Sequence, residues 1–332
     1  MPELNKGFGF IKDVHDSRDY NTREFFAAPK PFDWDKGFDI EEDLKVLLPV
    51  NDQGSSFSCV GQAKSKDREV KEQLDLGRYY LMSARSIYSL RMNKPGLGMQ
   101  LRDACEIERI PGVARRNDVA DFQTESEMNS DEGVVIAPKT KSLTYLTFNF
   151  WGDIDGLAAH IRDYKGAMIA FDGLNNGTFF NEHPTLPNSQ GQAQWGHAVY
   201  AGKVKLVNGE KRVYFLNSWG KGAGINGWQY FTEEDIKNRP SGYNPFYQGR
   251  VTIDLISNTA KLMADQFLID NEGKLIQMTG PGATGEFGTV VNGVVRTGTS
   301  ADVIATYLAR KEGKGVPVEM WKLFPTKPVN QS

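Results

Sequence analysis

The sequence predicts an α+β protein of two lobes, one helical and one rich in β-structure, followed by a small α+β module. Three stretches carry this expectation. After Ser58 and Cys59, the chain runs from Ala63 to Leu74 without Pro or Gly and with mixed charge, the composition of a helix. Further on, His197 to Lys205 and Arg212 to Leu216 flank Asn208-Gly209, a strong two-residue hairpin signal. Beyond residue 255, two more hairpin patterns and one helical pattern follow.

In chain order, residues 1–50 read as extended. Gly7-Phe8-Gly9-Phe10-Ile11, the run from His15 to Tyr20, and Pro29, Pro31, Phe32 and Trp34 describe a strap laid over the domain by its aromatic side chains. His15 reads as a surface residue. The main domain spans 51–255. Val46 to Val50 delivers the chain to the loop Gln53-Gly54-Ser55-Ser56-Phe57-Ser58, where Ser58 is an N-cap residue type. Tyr79, Tyr80, Leu81, Ser83, Ile87, Tyr88 and Arg91 recur at helical spacing, with Ser83 as the cap. Lys94-Pro95-Gly96-Leu97-Gly98 is a loop, and Met99 to Cys105 a second helix with Cys105 as inert core. Residues 115–142 are polar, acidic and weakly patterned, which predicts a surface excursion.

Leu143 to Phe148 and Ala167 to Phe171 read as strands, with a helix between them opened by Asp155 and ended by Gly166. His160 on that helix reads as structural or surface, and His183 has no motif around it. Gln229 to Phe231 is a strand, and Thr232 opens a short helix. In residues 256–332, Gln266 to Met278 and Thr289 to Arg296 read as hairpins, and Ser300 caps a helix closed by Gly313. That module has neither Cys nor His. It is expected to pack on the main domain, or to dock a partner protein or a second copy, rather than to do chemistry.

Composition excludes several classes. The 332 residues carry a net charge of −3, so no basic footprint points to nucleic acid. No apolar run approaches a membrane span, and Met1 to Gly7 shows no signal-peptide core. Two cysteines make no disulfide framework. A soluble, cytoplasmic protein is expected.

The chemistry concentrates on Cys59. At a helix N-terminus, unpaired N–H groups and the macrodipole favour a thiolate, which makes such a cysteine a nucleophile in want of a base. Gln53 sits six residues upstream, close enough for its amide to return to the same pocket. Downstream, Trp195-Gly196-His197-Ala198-Val199 sets a histidine at the head of one apolar run, and Phe215-Leu216-Asn217-Ser218-Trp219-Gly220 sets an asparagine at the end of another. The hairpin would bring both to one end of adjacent strands.

Gln-Gly-x-x-x-Ser-Cys, Gly-His-Ala-Val and Asn-Ser-Trp-Gly, in that order, resemble the papain-like cysteine peptidases of bacterial and phage type. The separation of about 140 residues between Cys59 and His197 suits that family. The resemblance spans roughly residues 7–252. It implies Cys59 as nucleophile, His197 as general acid/base, Asn217 as orienter of the imidazole and Gln53 as oxyanion donor. Trp219 would shield the His–Asn bond. It also implies that Gly96, Leu97 and Gly98 border a groove for polypeptide substrate, with Gly196 and Trp219 beside it, and that no metal or organic cofactor is needed. Ser56 and Val60 depart from the family box, and Gly202 comes one residue early, predicting a different bulge in that strand. Two other readings share these residues: a non-catalytic, virion-type structural protein on the same scaffold, and an amidase or acyltransferase using the same dyad.

Overall fold

The helix expected after Ser58 runs from Cys59 to Leu76 and ends at Gly77, whose left-handed conformation (φ 64°) a glycine adopts without strain. Ser58 precedes it without capping it; its hydroxyl instead meets Ser56 Oγ at 2.7 Å and accepts from Gln62 Nε2 at 3.3 Å. The computed structural model describes residues 6–14, 16, 19–22, 31–237 and 242–254, with strands 275–279, 287–291, 294–298, 313–317 and 326–328. The chain divides into two compact units, Met1–Thr22 with Ala28–Thr252, and Arg23–Ala27 with Ile253–Ser332.

In the first unit, strand β1 (Phe38–Asp39) leads into helices α1 (Ile40–Leu44), α2 (Cys59–Leu76), α3 (Arg85–Tyr88) and α4 (Leu101–Arg109). Strands β2 (Val113–Ala114) and β3 (Lys139–Thr140) pair around a short helix α5 (Glu125–Met128). Then come β4 (Thr144–Phe148), α6 (Ile154–Asp163), β5 (Ala167–Gly173), β6 (Trp195–Val207), β7 (Glu210–Leu216), β8 (Trp228–Thr232), α7 (Glu233–Ile236) and β9 (Gly249–Ile253). The sheet order is β4-β9-β5-β6-β7-β8, with β1 also on β6. The β6–β7 turn falls at Asn208 and Gly209, both at positive φ (52° and 80°), and β6 bulges between Ala201 and Lys203, at Gly202.

Several expectations change in detail. Residues 1–50 are not extended throughout, because Asp39 accepts from Glu41 N and starts α1. Only Arg85–Tyr88 of the Tyr79–Arg91 stretch is helical; Met82 instead bridges to Arg115. Asp153 rather than Asp155 caps α6, accepting from Gly156 N at 2.7 Å. The 115–142 stretch is no mere excursion. Its Glu125 accepts from Phe57 N and Tyr88 Oη at 2.9 and 2.8 Å, and Gln123 O accepts from Ser55 N, so it braces the loop before Cys59. In the second unit, strands β10 (Leu275–Thr279), β11 (Phe287–Val291), β12 (Val294–Gly298), β13 (Gly313–Pro317) and β14 (Thr326–Pro328) form one sheet in the order β13-β10-β11-β12-β14. The β11–β12 pair is the hairpin expected about Asn292-Gly293. His15, the first half of the Gln266–Met278 hairpin and the helix after Ser300 lie outside the described residues.

Helix α2 is buried from Cys59 to Glu72 although much of it is charged. Lys64 Nζ lies 2.8 Å from Asp67 and 2.6 Å from Glu108, all nearly without exposure, and also bonds Thr252. One cation thus serves two buried carboxylates and ties α2 to α4 and β9. Replacing Lys64 by Ala should cost about 3–5 kcal/mol, because both buried acids lose their nearest cation and keep only the more distant Arg68, 3.9 Å from Glu108, and Lys71, 4.0 Å from Asp67. Denaturant unfolding would check this; a loss within about 0.5 kcal/mol, the range of surface changes, would contradict it.

Candidate active site

Gln229 on β8 donates from Nε2 to the carbonyls of Phe179 and Asn181 at 2.8 and 2.6 Å. Its Oε1 is therefore the atom that accepts from Asn217 Nδ2, at 2.6 Å. This leaves Asn217 Oδ1 to accept, from Ser218 N at 2.7 Å and from His197 Nε2 at 2.9 Å. Since a carbonyl oxygen only accepts, Nε2 carries the imidazole proton and Nδ1 is the bare lone pair. Nδ1 is buried with no hydrogen-bond partner among the described residues. Trp219 lies against the imidazole, its ring 4.3 Å from that of His197, and covers the His–Asn bond.

Register explains the meeting of strands and helix. Phe171 on β5 faces His197 on β6, and Tyr200 faces Leu216, so Asn217 emerges beside the histidine. Helix α2 packs on β6, and Cys59 shares an apolar cluster with Ala198, the residue after His197. A second chain of side chains holds Gln53. Ser218 Oγ donates to Gln53 Oε1 at 2.6 Å, which turns Gln53 Nε2 outward as a donor. Sequence reasoning singled out Cys59, His197, Asn217, Gln53 and Trp219, and the fold gathers all five. It missed Ser218 and Gln229, which orient them; an amide on the strand after the Asn-Ser-Trp-Gly loop carries no signature.

The groove beside these residues is filled by the chain's own N-terminal strap. Ile11 N donates to Met99 O at 3.0 Å, Met99 N to Gly9 O at 2.7 Å, and Phe10 N to Gly196 O at 3.3 Å. Gln53 Nε2 donates to Gly7 O at 2.8 Å and to Ser56 O at 2.7 Å, so both its hydrogens are taken. The Gly9 N–H lies near enough to the Cys59 thiol to pull its pKa down against the effect of burial. The strap is held at its far end by Arg250 Nη2 on Asp13 at 2.7 Å and Arg102 Nε on Asp19 at 2.8 Å. Of the residues expected to border the groove, Gly98 and Gly196 lie against the strap, while Leu97 is exposed. Gly96 bonds Asn93 and Arg91 in its own turn, and the residue that pairs with an extended chain is Met99.

Burial sets the direction of both ionisations. The Cys59 thiol is pushed up to about 11 by desolvation, against the pull of the surrounding N–H groups. Desolvation likewise presses His197 down to about 4, against its bond to Asn217. The covered pair is neutral, where the helix N-terminus alone would predict a thiolate. Both cysteines are free and buried, and no group of three or more His, Cys, Asp or Glu among the described residues is placed to hold a metal.

No protein-family model and no curated protein matches the chain. Solved structures do. Xylellain, a cysteine protease from Xylella fastidiosa, is similar over 76% of this chain and 97% of its own, with a TM-score of 0.60 and 21% identity. A digestive procathepsin L 3 of Tenebrio molitor larval midgut matches 75% of this chain and 76% of its own (TM-score 0.57, 18% identity). A Carica candamarcensis cysteine protease, CMS1MS2, matches 66% and 98% (TM-score 0.52, 15% identity). The fold is therefore the papain-like, two-lobed α+β fold.

The protonation state is testable in the intact chain. Alkylation of Cys59 should quicken about tenfold per unit between roughly pH 7 and 10, because the thiolate reacts and its share grows until the pH passes the raised pKa. Mass spectrometry of iodoacetamide-treated protein would follow this, and a rate already flat at pH 6 would mean a preformed thiolate.

Proposed function

We propose that this chain is a cysteine-type peptidase. The observation that carries the reading is the relay from Gln229 through Asn217 to His197, which leaves a bare Nδ1 lone pair on the strand against which the helix begun by Cys59 packs. Cys59 gives its proton to His197 Nδ1 and its sulfur attacks a peptide carbonyl carbon, forming a tetrahedral oxyanion. The Cys59 backbone N–H and Gln53 Nε2 hold that oxygen; losing one such donor costs on the order of 10²–10³ in rate. The imidazolium then protonates the leaving amine. In the second half it takes a proton from water, whose oxygen displaces the sulfur from the thioester. Asn217 keeps the ring in plane throughout.

Extended backbone hydrogen bonds at Met99 and Gly196 favour a peptide over a small acyl amide. Turnover requires the strap to leave. Its departure frees Gln53 Nε2 from Gly7 O, opens the sulfur, and returns water to the site, which brings the two pKa values toward each other. In this reading the residues after about 255 are an accessory module for a protein partner or a second copy.

Cys59→Ala and His197→Ala should each abolish peptide hydrolysis with the fold intact by circular dichroism. Asn217→Ala should be milder, because the side chain orients without reacting. Gln229→Leu should lower kcat by about tenfold or more, as it leaves Asn217 Nδ2 buried and unpaired at about 1–3 kcal/mol. Wild-type turnover in the Cys59→Ala protein would end the proposal. Truncation after residue 255 should preserve hydrolysis of a short peptide and abolish an association seen by sizing; unchanged sizing would remove the accessory role.

A further inference from the structure

The strap shows what the groove accepts. Its two aromatic rings, two residues apart, go to separate walls. Phe8 stacks on Trp195 (centroids 4.3 Å apart, planes 12° apart) and meets Trp219 edge-on at 5.7 Å. Trp195 is itself fixed, donating from its indole N–H to Asn175 Oδ1 at 3.0 Å. Phe10 lies 4.7 Å from the ring of Tyr247 and packs on the apolar cluster that holds Met99 and Ala198. Tyr247 is pinned by its hydroxyl on Asp172 at 2.8 Å, and Tyr243 takes the other carboxylate oxygen at 2.6 Å. Each ring thus rests on an aromatic wall held from behind by a hydrogen bond, an arrangement that rewards flat side chains beyond simple area burial.

The backbone between the rings is as demanding. A Cβ on Gly9 would overlap the Phe57 carbonyl, and one on Gly7 the Ser56 carbonyl. Neither φ is positive, so the need for glycine there is one of close approach rather than of backbone conformation. The carbonyls belong to the loop that Glu125 and Gln53 hold rigid, so the floor does not yield easily.

We propose that the groove is a two-pocket recognition site for extended polypeptide that carries aromatic side chains two residues apart with glycine between them. This rests on reading the groove as the peptide-binding cleft of the proposed peptidase. The first ring takes the Trp195–Trp219 shelf, the second takes the Tyr247 pocket, and the glycine passes over Phe57.

The test uses the full chain with the strap unseated in two ways. Gly9→Ala removes the close approach, and Phe8→Ala/Phe10→Ala removes both rings while leaving the backbone alone. Labelling of Cys59 by iodoacetamide, read by mass spectrometry with Cys105 as the unfolding control, should rise at least about tenfold in whichever variant keeps Cys105 protected. A synthetic peptide of sequence Lys-Gly-Phe-Gly-Phe-Ile-Lys should then restore protection. Peptides with Ala at either Phe position, or at the central Gly, should need about tenfold more for the same effect. Substituted peptides that protect as well as the parent, or a parent that does not protect, would overturn the proposal. Protection without any peptide hydrolysis would instead count against the peptidase reading and leave this site standing.

Discussion

Two amide hydrogens of Gln229, spent on the carbonyls of Phe179 and Asn181, decide the orientation of everything downstream. A primary amide has one accepting and one donating end. Once the donating end is committed to main-chain oxygens, the accepting end must face Asn217, and the same logic passes along to His197. The outcome is a single imidazole tautomer fixed by backbone geometry on the far side of β8. Ser218 repeats the device for Gln53, so consecutive residues of one loop orient both His197 and Gln53. Errors in either chain would appear as buried unpaired polar atoms, which are costly; the network is therefore stiff.

The strap uses this stiffness. It takes one Gln53 amide hydrogen with the Gly7 carbonyl, the other going to Ser56 O, and brings the Gly9 N–H near the Cys59 thiol. Burial of the site is what pushes the Cys59 thiol up and the His197 imidazole down in pKa. The arginines that hold Asp13 and Asp19 lie on α4 and β9, so the segment is anchored by elements other than the loop before Cys59.

Beneath the site, α2 carries charge into the core. Lys64 between Asp67 and Glu108 takes three ionisable groups out of water at once, and its attraction for the two carboxylates offsets that cost and their mutual repulsion only while the lysine is present. The arrangement ties the helix that begins at Cys59 to both α4 and β9, and so holds its N-terminus in place against β6.

The sequence by itself determined the fold class and pointed to the four residues on which the proposed chemistry rests. Residue types at Gln53, Cys59, His197 and Asn217 report chemistry directly, and the Asn208-Gly209 hairpin is a local rule of backbone dihedrals. The extents of α2, β5 and β6 were legible for the same reason. Other features were settled by contacts distant in sequence. Glu125 bracing Phe57, Gln229 orienting Asn217 and Lys64 meeting Glu108 join residues that no window of pattern brings together. The aromatic strap was legible as a strap, but its seat was not. Tertiary structure alone laid Gly7 to Ile11 along Met99 and over Cys59, because a groove floor exists only after the two lobes have met. For the same reason the ionisation of Cys59 and His197 followed burial rather than helix position. Desolvation belongs to the assembled surface, and a sequence carries no record of which surface will lose its water.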